Sequence, residues 1–95
     1  MKEKFYIGGK QYIPEKSHLL CDATISSNSL ELFADDVRER IYATKNGGFF
    51  HVRNEGPNIL AEVLTREEAL ALLDTLAPYI DTDIYDVVFG APEMG

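Results

Sequence analysis

The strongest constraint on this chain is Asn46-Gly47, set between two runs of β-branched and aromatic residues, Arg40-Ile41-Tyr42-Ala43-Thr44 and Phe49-Phe50-His51-Val52-Arg53. Such runs favour strands, and an Asn-Gly pair favours reversal because both residues tolerate the left-handed backbone of a type I′ turn. An antiparallel hairpin is therefore predicted over residues 40–53. Side chains alternate along a strand, so Phe50 and Val52 point one way and Phe49 and His51 the other, and at least one aromatic row belongs to a core. A second hairpin is predicted near the N-terminus, where Gly8-Gly9 separates Phe5-Tyr6-Ile7 from Lys10-Gln11-Tyr12-Ile13. Pro14 lacks the donor that a continuing strand needs and ends it.

The intervening segment carries mixed signals. Leu19-Leu20-Cys21 and Ala23-Thr24-Ile25 suit a short strand, whereas Ser26-Ser27-Asn28-Ser29 is loop chemistry. Asn28 or Ser29 then fits the cap of a short helix carrying Leu30, Phe33 and Val37 on one side, with Asp35 and Asp36 outward. Gly56-Pro57 ends the central hairpin, and residues 59–64 read as a further short strand.

Thr65 and Glu68 have the spacing of a capping box, so a helix is predicted over residues 66–77. Its inner face is Ala69, Leu72, Leu73 and Leu76, widened by Leu70 and Ala77, and Pro78 stops it. A shorter helix follows, with Thr82 or Asp83 as cap, Ile84, Val87 and Val88 inward, and Gly90 as a left-handed stop; residues 91–95 read as a frayed tail. The fold class is α+β: a small antiparallel sheet of two hairpins, joined into one sheet, with one main and one short C-terminal helix packed on it in a single domain, 1–95. A core this small is marginal, so a homodimer through a sheet edge or the apolar helix face stands beside a stable monomer.

Charge is the next discriminator. Sixteen acids against nine bases give a net charge of −7, which disfavours direct nucleic-acid binding and adhesion to anionic membranes. The excess is not evenly spread. Residues 1–66 hold nine acids and all nine bases, whereas residues 67–95 hold the other seven acids, Glu67, Glu68, Asp74, Asp81, Asp83, Asp86 and Glu93, and no base. A single cysteine, Cys21, cannot form an internal disulfide, and the N-terminus lacks the apolar h-region of a signal peptide. With no apolar run near the ~20 residues that span a bilayer, the sequence fits a soluble cytoplasmic protein.

Candidate sites are few. His18, Cys21 and His51 supply three borderline or soft ligands, one short of a structural zinc set. Cys21 and His51 could form a thiol–imidazole dyad, although an inert core cysteine is the commoner use. The run from Asp81 to Asp86 begins like a calcium loop but has Asp86 where that loop needs glycine and Pro92 where it needs a bidentate glutamate. Gly8-Gly9 and Gly47-Gly48 join strand to strand and precede no Lys-Ser/Thr, so they are turns rather than phosphate loops. Around 40–53, Tyr42, Phe49, His51 and Arg53 mix rings with cations as a single-stranded nucleic-acid platform does, yet Asp35, Asp36, Glu39 and Glu55 cancel the nearby bases.

Gly9-Lys10-Gln11-Tyr12, the run from Glu39 to Phe50, Leu64-Thr65-Arg66-Glu67-Glu68-Ala69, and Tyr85-Asp86-Val87-Val88-Phe89-Gly90 occur in an order and spacing that resembles a set of small uncharacterised proteins from Firmicutes and their phages and mobile elements. Those proteins share a Tyr-x-Thr-Lys-x-Gly-x-Phe-Phe hairpin, a Leu-Thr-x-Glu-Glu-Ala helix start and a C-terminal Tyr-x-x-x-Phe-Gly. This chain departs at Asn54-Glu55-Gly56-Pro57, which has one glycine instead of a Gly-Gly pair and longer insertion, and at Leu72-Leu73, where a tryptophan is usual. The resemblance implies a bacterial or phage origin and an accessory role, and its motifs are turns, caps and core positions.

The functional expectation is a small acidic non-enzymatic protein-binding accessory factor with no cofactor. Its carboxylates Glu67, Glu68, Asp74, Asp81, Asp83 and Asp86 meet a partner protein with a basic surface, in the sharpest form a host nucleic-acid-binding or defence protein. The alternatives are a small enzyme or metal-dependent subunit using Cys21, His51 and carboxylates, or single-stranded nucleic-acid binding through the 40–53 hairpin, with Tyr42, Phe49, His51 and Arg53 as the surface.

Overall fold

A computed structural model describes residues 3–25 and 36–90. The fold is α+β, with a two-stranded antiparallel sheet, a four-stranded antiparallel sheet, and two helices at the C-terminal end. The small sheet pairs β1 (Phe5–Ile7) with β2 (Lys10–Tyr12) across Gly8 and Gly9, both at positive φ, as a tight hairpin requires. Pro14 ends it by opening a 3₁₀ turn, Pro14–Lys16. The main sheet runs in chain order, β3 (His18–Ile25), β4 (Val37–Ala43), β5 (Phe49–Glu55) and β6 (Asn58–Leu64). The two hairpins are thus not joined into one sheet; the N-terminal one packs across a face of the other.

The central reversal stands where Asn46-Gly47 predicts it, but with a different turn. Thr44 N–H donates to Gly48 O at 2.8 Å, Gly47 N–H donates to Thr44 O at 3.2 Å, and Gly47 is at φ +83° while Asn46 keeps a negative φ. This is a three-residue loop with one left-handed glycine, so the type I′ requirement on Asn46 never arises. The mixed segment resolves into a full eight-residue strand, β3, with a bulge between Leu19 and Cys21. That bulge breaks the alternation that would have revealed the strand. The short helix expected around Leu30 and Phe33 lies outside the described residues; Val37, assigned to it, is instead the first residue of β4.

Both faces of the sheet are covered. On one face Leu20, Cys21, Ala23, Ile41, Ala43, Phe49 and Leu64 pack against Ala69, Leu73 and Leu76 of the helical end. Helix α1 (Arg66–Thr75) starts with both halves of the capping box, Thr65 Oγ1 accepting from Glu68 N–H at 3.1 Å and Glu68 Oε1 accepting from Thr65 N–H at 2.9 Å. It ends two residues earlier than expected, and Ala77 is exposed in a 3₁₀ turn, Ala77–Tyr79, that carries Pro78. Helix α2 (Thr82–Phe89) is capped by Asp81, not by Thr82 or Asp83, because Asp81 has the extended backbone that lets its carboxylate accept from Ile84 N–H at 3.2 Å. Its inward stripe is Ile84, Tyr85, Val88 and Phe89. Phe89 stacks on Phe49 at 5.4 Å, which turns Val87, expected inward, to solvent at 71% exposure. Gly90 closes α2 at φ +81°, ψ 163°, a glycine conformation outside the left-handed helical well expected for it.

On the other face Tyr42, Phe50 and Val52 pack against Phe5, Tyr12 and Ala61, with Phe50 stacked on Tyr42 at 4.9 Å and tilted against Tyr12 at 5.4 Å. Arg40 extends this row and is buried. Its guanidinium donates to both Glu3 carboxylate oxygens at 2.7 and 3.0 Å, to Asn54 Oδ1 at 2.8 Å and to the Tyr42 hydroxyl at 3.0 Å. Glu3 precedes β1, so this fork clips the N-terminal hairpin to the sheet.

Hydrogen bonding from Arg40 holds the Glu3 carboxyl below its ordinary 4.5, and the Arg38 fork does the same to Asp22, ordinarily 3.8. A carboxylate with a depressed folded pKa contributes stability that is complete above its unfolded pKa and is lost as pH falls through the folded value. Urea midpoints are therefore expected to fall on acidification below pH 4.5, and to fall less steeply in Glu3→Gln/Asp22→Asn. Parallel pH profiles for the two proteins would contradict this assignment.

Candidate functional site

The six carboxylates expected to form a binding surface divide into two groups. Glu68 and Asp81 are engaged in capping α1 and α2. Glu67, Asp74, Asp83 and Asp86 are exposed, and no cation pairs with them among the described residues. Glu67 and Asp74 are two turns apart on α1, and Asp83, Asp86 and Val87 share the solvent side of α2, so each helix presents an acidic outer stripe. An open hollow of about 450 Å³ adjoins the second stripe, lined by Ala77, Ile80, Thr82, Tyr85 and Asp86. Acidic side chains thus border a small apolar depression.

The sheet half treats its acids differently. Asp22 takes a two-point fork from Arg38 at 2.9 and 2.6 Å, Glu3 takes one from Arg40, and Glu55 lies 3.7 Å from Arg53. Arginine neutralises carboxylates in the half of the chain that contains arginine. Beyond Arg66 there is none.

The second candidate surface, Tyr42, Phe49, His51 and Arg53, is divided by the sheet. Tyr42 is buried under the N-terminal hairpin, while Phe49 is buried under α2 on the opposite face. His51 is buried on the helix-facing side of β5, with Nδ1 3.4 Å from Glu62 Oε1 and Nε2 3.5 Å from Glu39 Oε1. Arg53 alone is exposed. Tyr42 and Phe49 pack against other rings on opposite faces, so the four side chains do not form one stacking surface for bases.

Cys21 and His51 occupy one cross-strand row, but Ile41 stands between them as the direct neighbour of each. Burial, with smaller effects from Asp22 and Glu39, pushes the Cys21 thiol up to about 11, so it is held protonated at neutral pH. His18 is exposed at the start of β3. Among the described residues no group of three or more His, Cys, Asp or Glu side chains could hold a metal ion. Asp81 to Asp86 form the cap and opening turns of α2 rather than a calcium loop. No helix of the described residues is long and apolar enough to cross a membrane.

Two features escaped the sequence reading. Arg40 is buried, a position whose only signal was its sharing a strand face with Tyr42 two residues on. Among the described residues β6 is an open edge with exposed Ile59, Leu60 and Val63, although a continuous apolar run ordinarily marks a buried strand. Comparison with protein-family models, curated proteins and solved structures finds no match to this chain.

Cys21 is expected to react with an aromatic disulfide reagent at least ~100-fold more slowly in the native protein than in denaturant, since both burial and thiol protonation oppose attack. Equal rates in the two states would show a solvent-reachable, activated thiol instead.

Proposed function

We propose that this chain is a small non-enzymatic accessory factor that binds a partner protein through the acidic outer stripes of its two helices. The supporting observation is that Glu67, Asp74, Asp83 and Asp86 are exposed and unpaired among the described residues, whereas Asp22, Glu3 and Glu55 of the sheet half have arginine partners. Unpaired surface carboxylates repel one another and gain most from a complementary basic surface, which also raises the association rate. The apolar hollow beside Asp86, with Tyr85 in its lining, supplies the desolvated contact that charge alone does not. The partner class is a protein with a basic face, in its sharpest form one whose face ordinarily meets nucleic-acid phosphates, as the resemblance to proteins of phages and mobile elements suggests. Glu68 and Asp81 serve this surface indirectly, by holding the two helices that present it.

Capture of partners from a bacterial lysate on the immobilised chain is expected at low salt and to be lost at high salt. The combined variant Glu67→Gln/Asp74→Asn/Asp83→Asn/Asp86→Asn should lose that capture while its stability stays within about 0.5 kcal/mol of the parent. Asp81→Ala should instead lose about 1 kcal/mol, as a helix cap does. Capture that is indifferent to salt, or undiminished in the four-site variant, would rule this reading out.

A further inference from the structure

We propose that the outer edge of β6 is a homodimer interface, at which two copies of the chain pair their β6 strands antiparallel about Ala61 and join their sheets into one. The surface is separate from the acidic helical stripes, so either can fail without the other.

The two edges of the sheet are treated differently. β3 is bulged between Leu19 and Cys21, and its outer side is closed by the chain itself, with Cys21 bridged to Ile80 and Asp81 N–H donating to Leu20 O at 2.9 Å. Among the described residues β6 has no such cover. It pairs with β5 over seven residues without a bulge, and it contains neither proline nor lysine, the usual guards of an open edge. Ile59, Leu60 and Val63 are 51%, 61% and 43% exposed along it.

Backbone parity limits how a second copy pairs. The loop between β5 and β6 is the two-residue Gly56-Pro57, which closes on Glu55 and Asn58. Hydrogen-bonded and non-hydrogen-bonded pairs alternate from that closing pair, so Ile59, Ala61 and Val63 turn their N–H and C=O groups outward. An antiparallel partner centred on Ala61 sets Ile59 against the partner's Val63 and Val63 against the partner's Ile59, outward groups meeting outward groups. Centring on Leu60 or Glu62 also matches outward groups, but the Leu60 register sets Val63 against the partner's Pro57, which has no N–H, and the Glu62 register places like charges in direct opposition.

Side chains agree with that register. Ile59, Ala61 and Val63 lie on the same side as Phe50, Val52 and the N-terminal hairpin, so pairing doubles an apolar row. On the helix-facing side, one cross-strand row runs His51, Glu62, then the partner's Leu60 and the partner's Arg53. Glu62 and Arg53 have side chains 68% and 44% exposed, and each is long enough to reach over the intervening leucine. Two-fold symmetry makes this acid–base match twice.

Sedimentation of the full chain over a range of concentrations tests the proposal, with a reversible monomer–dimer equilibrium expected. Ala61→Pro removes an outward N–H and should give a monomer, as should Val63→Lys, with circular dichroism unchanged in at least one of the two. Glu62→Arg should weaken the dimer ~10-fold or more by setting two cations together, and adding Arg53→Glu should restore it. A chain that is monomeric throughout, including one whose edge takes up only an extended peptide of another protein, would overturn the proposal. So would a dimer that survives both edge variants, or a charge exchange that fails to restore pairing.

Discussion

Phe49 and Phe50 are neighbours in β5, point to opposite sides of the sheet, and are both buried. The rest of the structure follows from that requirement. A sheet with an aromatic row on each face needs two covers, and this chain supplies them from its two ends: α1 and α2 over Phe49, the β1–β2 hairpin over Phe50. The hairpin is a poor cover by itself, since a lone two-stranded ribbon is barely stable in water. Its attachment is reinforced by Arg40, whose two terminal guanidinium nitrogens donate to Glu3, Asn54 and the Tyr42 hydroxyl. Burying such a cation costs much of what the pairing returns, so its main effect is to fix where the hairpin sits rather than to add stability.

Covering both faces leaves little chain for the edges and separates the charges. The bases all precede residue 67; Arg38 and Arg40 fork onto Asp22 and Glu3, Arg53 approaches Glu55, and past Arg66, the first residue of α1, the helices carry acids alone. One edge, β3, is closed by the segment between the helices, while the other, β6, stays open among the described residues and exposes Ile59, Leu60 and Val63. The acidic stripes and the bare edge are therefore two results of one allocation of residues. The partners proposed for them differ accordingly, a basic protein surface for the stripes and a second copy for the edge.

Local signals carried most of what the sequence revealed. Asn46-Gly47, Gly8-Gly9 and the Thr65/Glu68 capping box each act within a few residues, and each marks the element it was expected to mark. Failures occurred where distant residues decide. Val87 faces solvent because Phe89 is held by Phe49, forty residues away in the chain; the turn at Gly47, by contrast, differs in type within its own five residues, where the closing bond joins Thr44 to Gly48. Among the described residues only four of the six expected site carboxylates are free, since capping engages Glu68 and Asp81, a use that sequence spacing already announced for Glu68. Tyr42, Phe49 and His51 looked like a surface because composition cannot reveal that a sheet is covered twice.

Amide hydrogen exchange at Tyr42 and Phe50, compared between the full chain and one lacking residues 1–16, tests the two-cover account most directly. If the N-terminal hairpin is an essential layer, its removal lowers protection at both amides by ~10-fold or more, because the buried aromatic row then meets water. Unchanged protection would mean that the helices alone hold the sheet, and the account would be wrong.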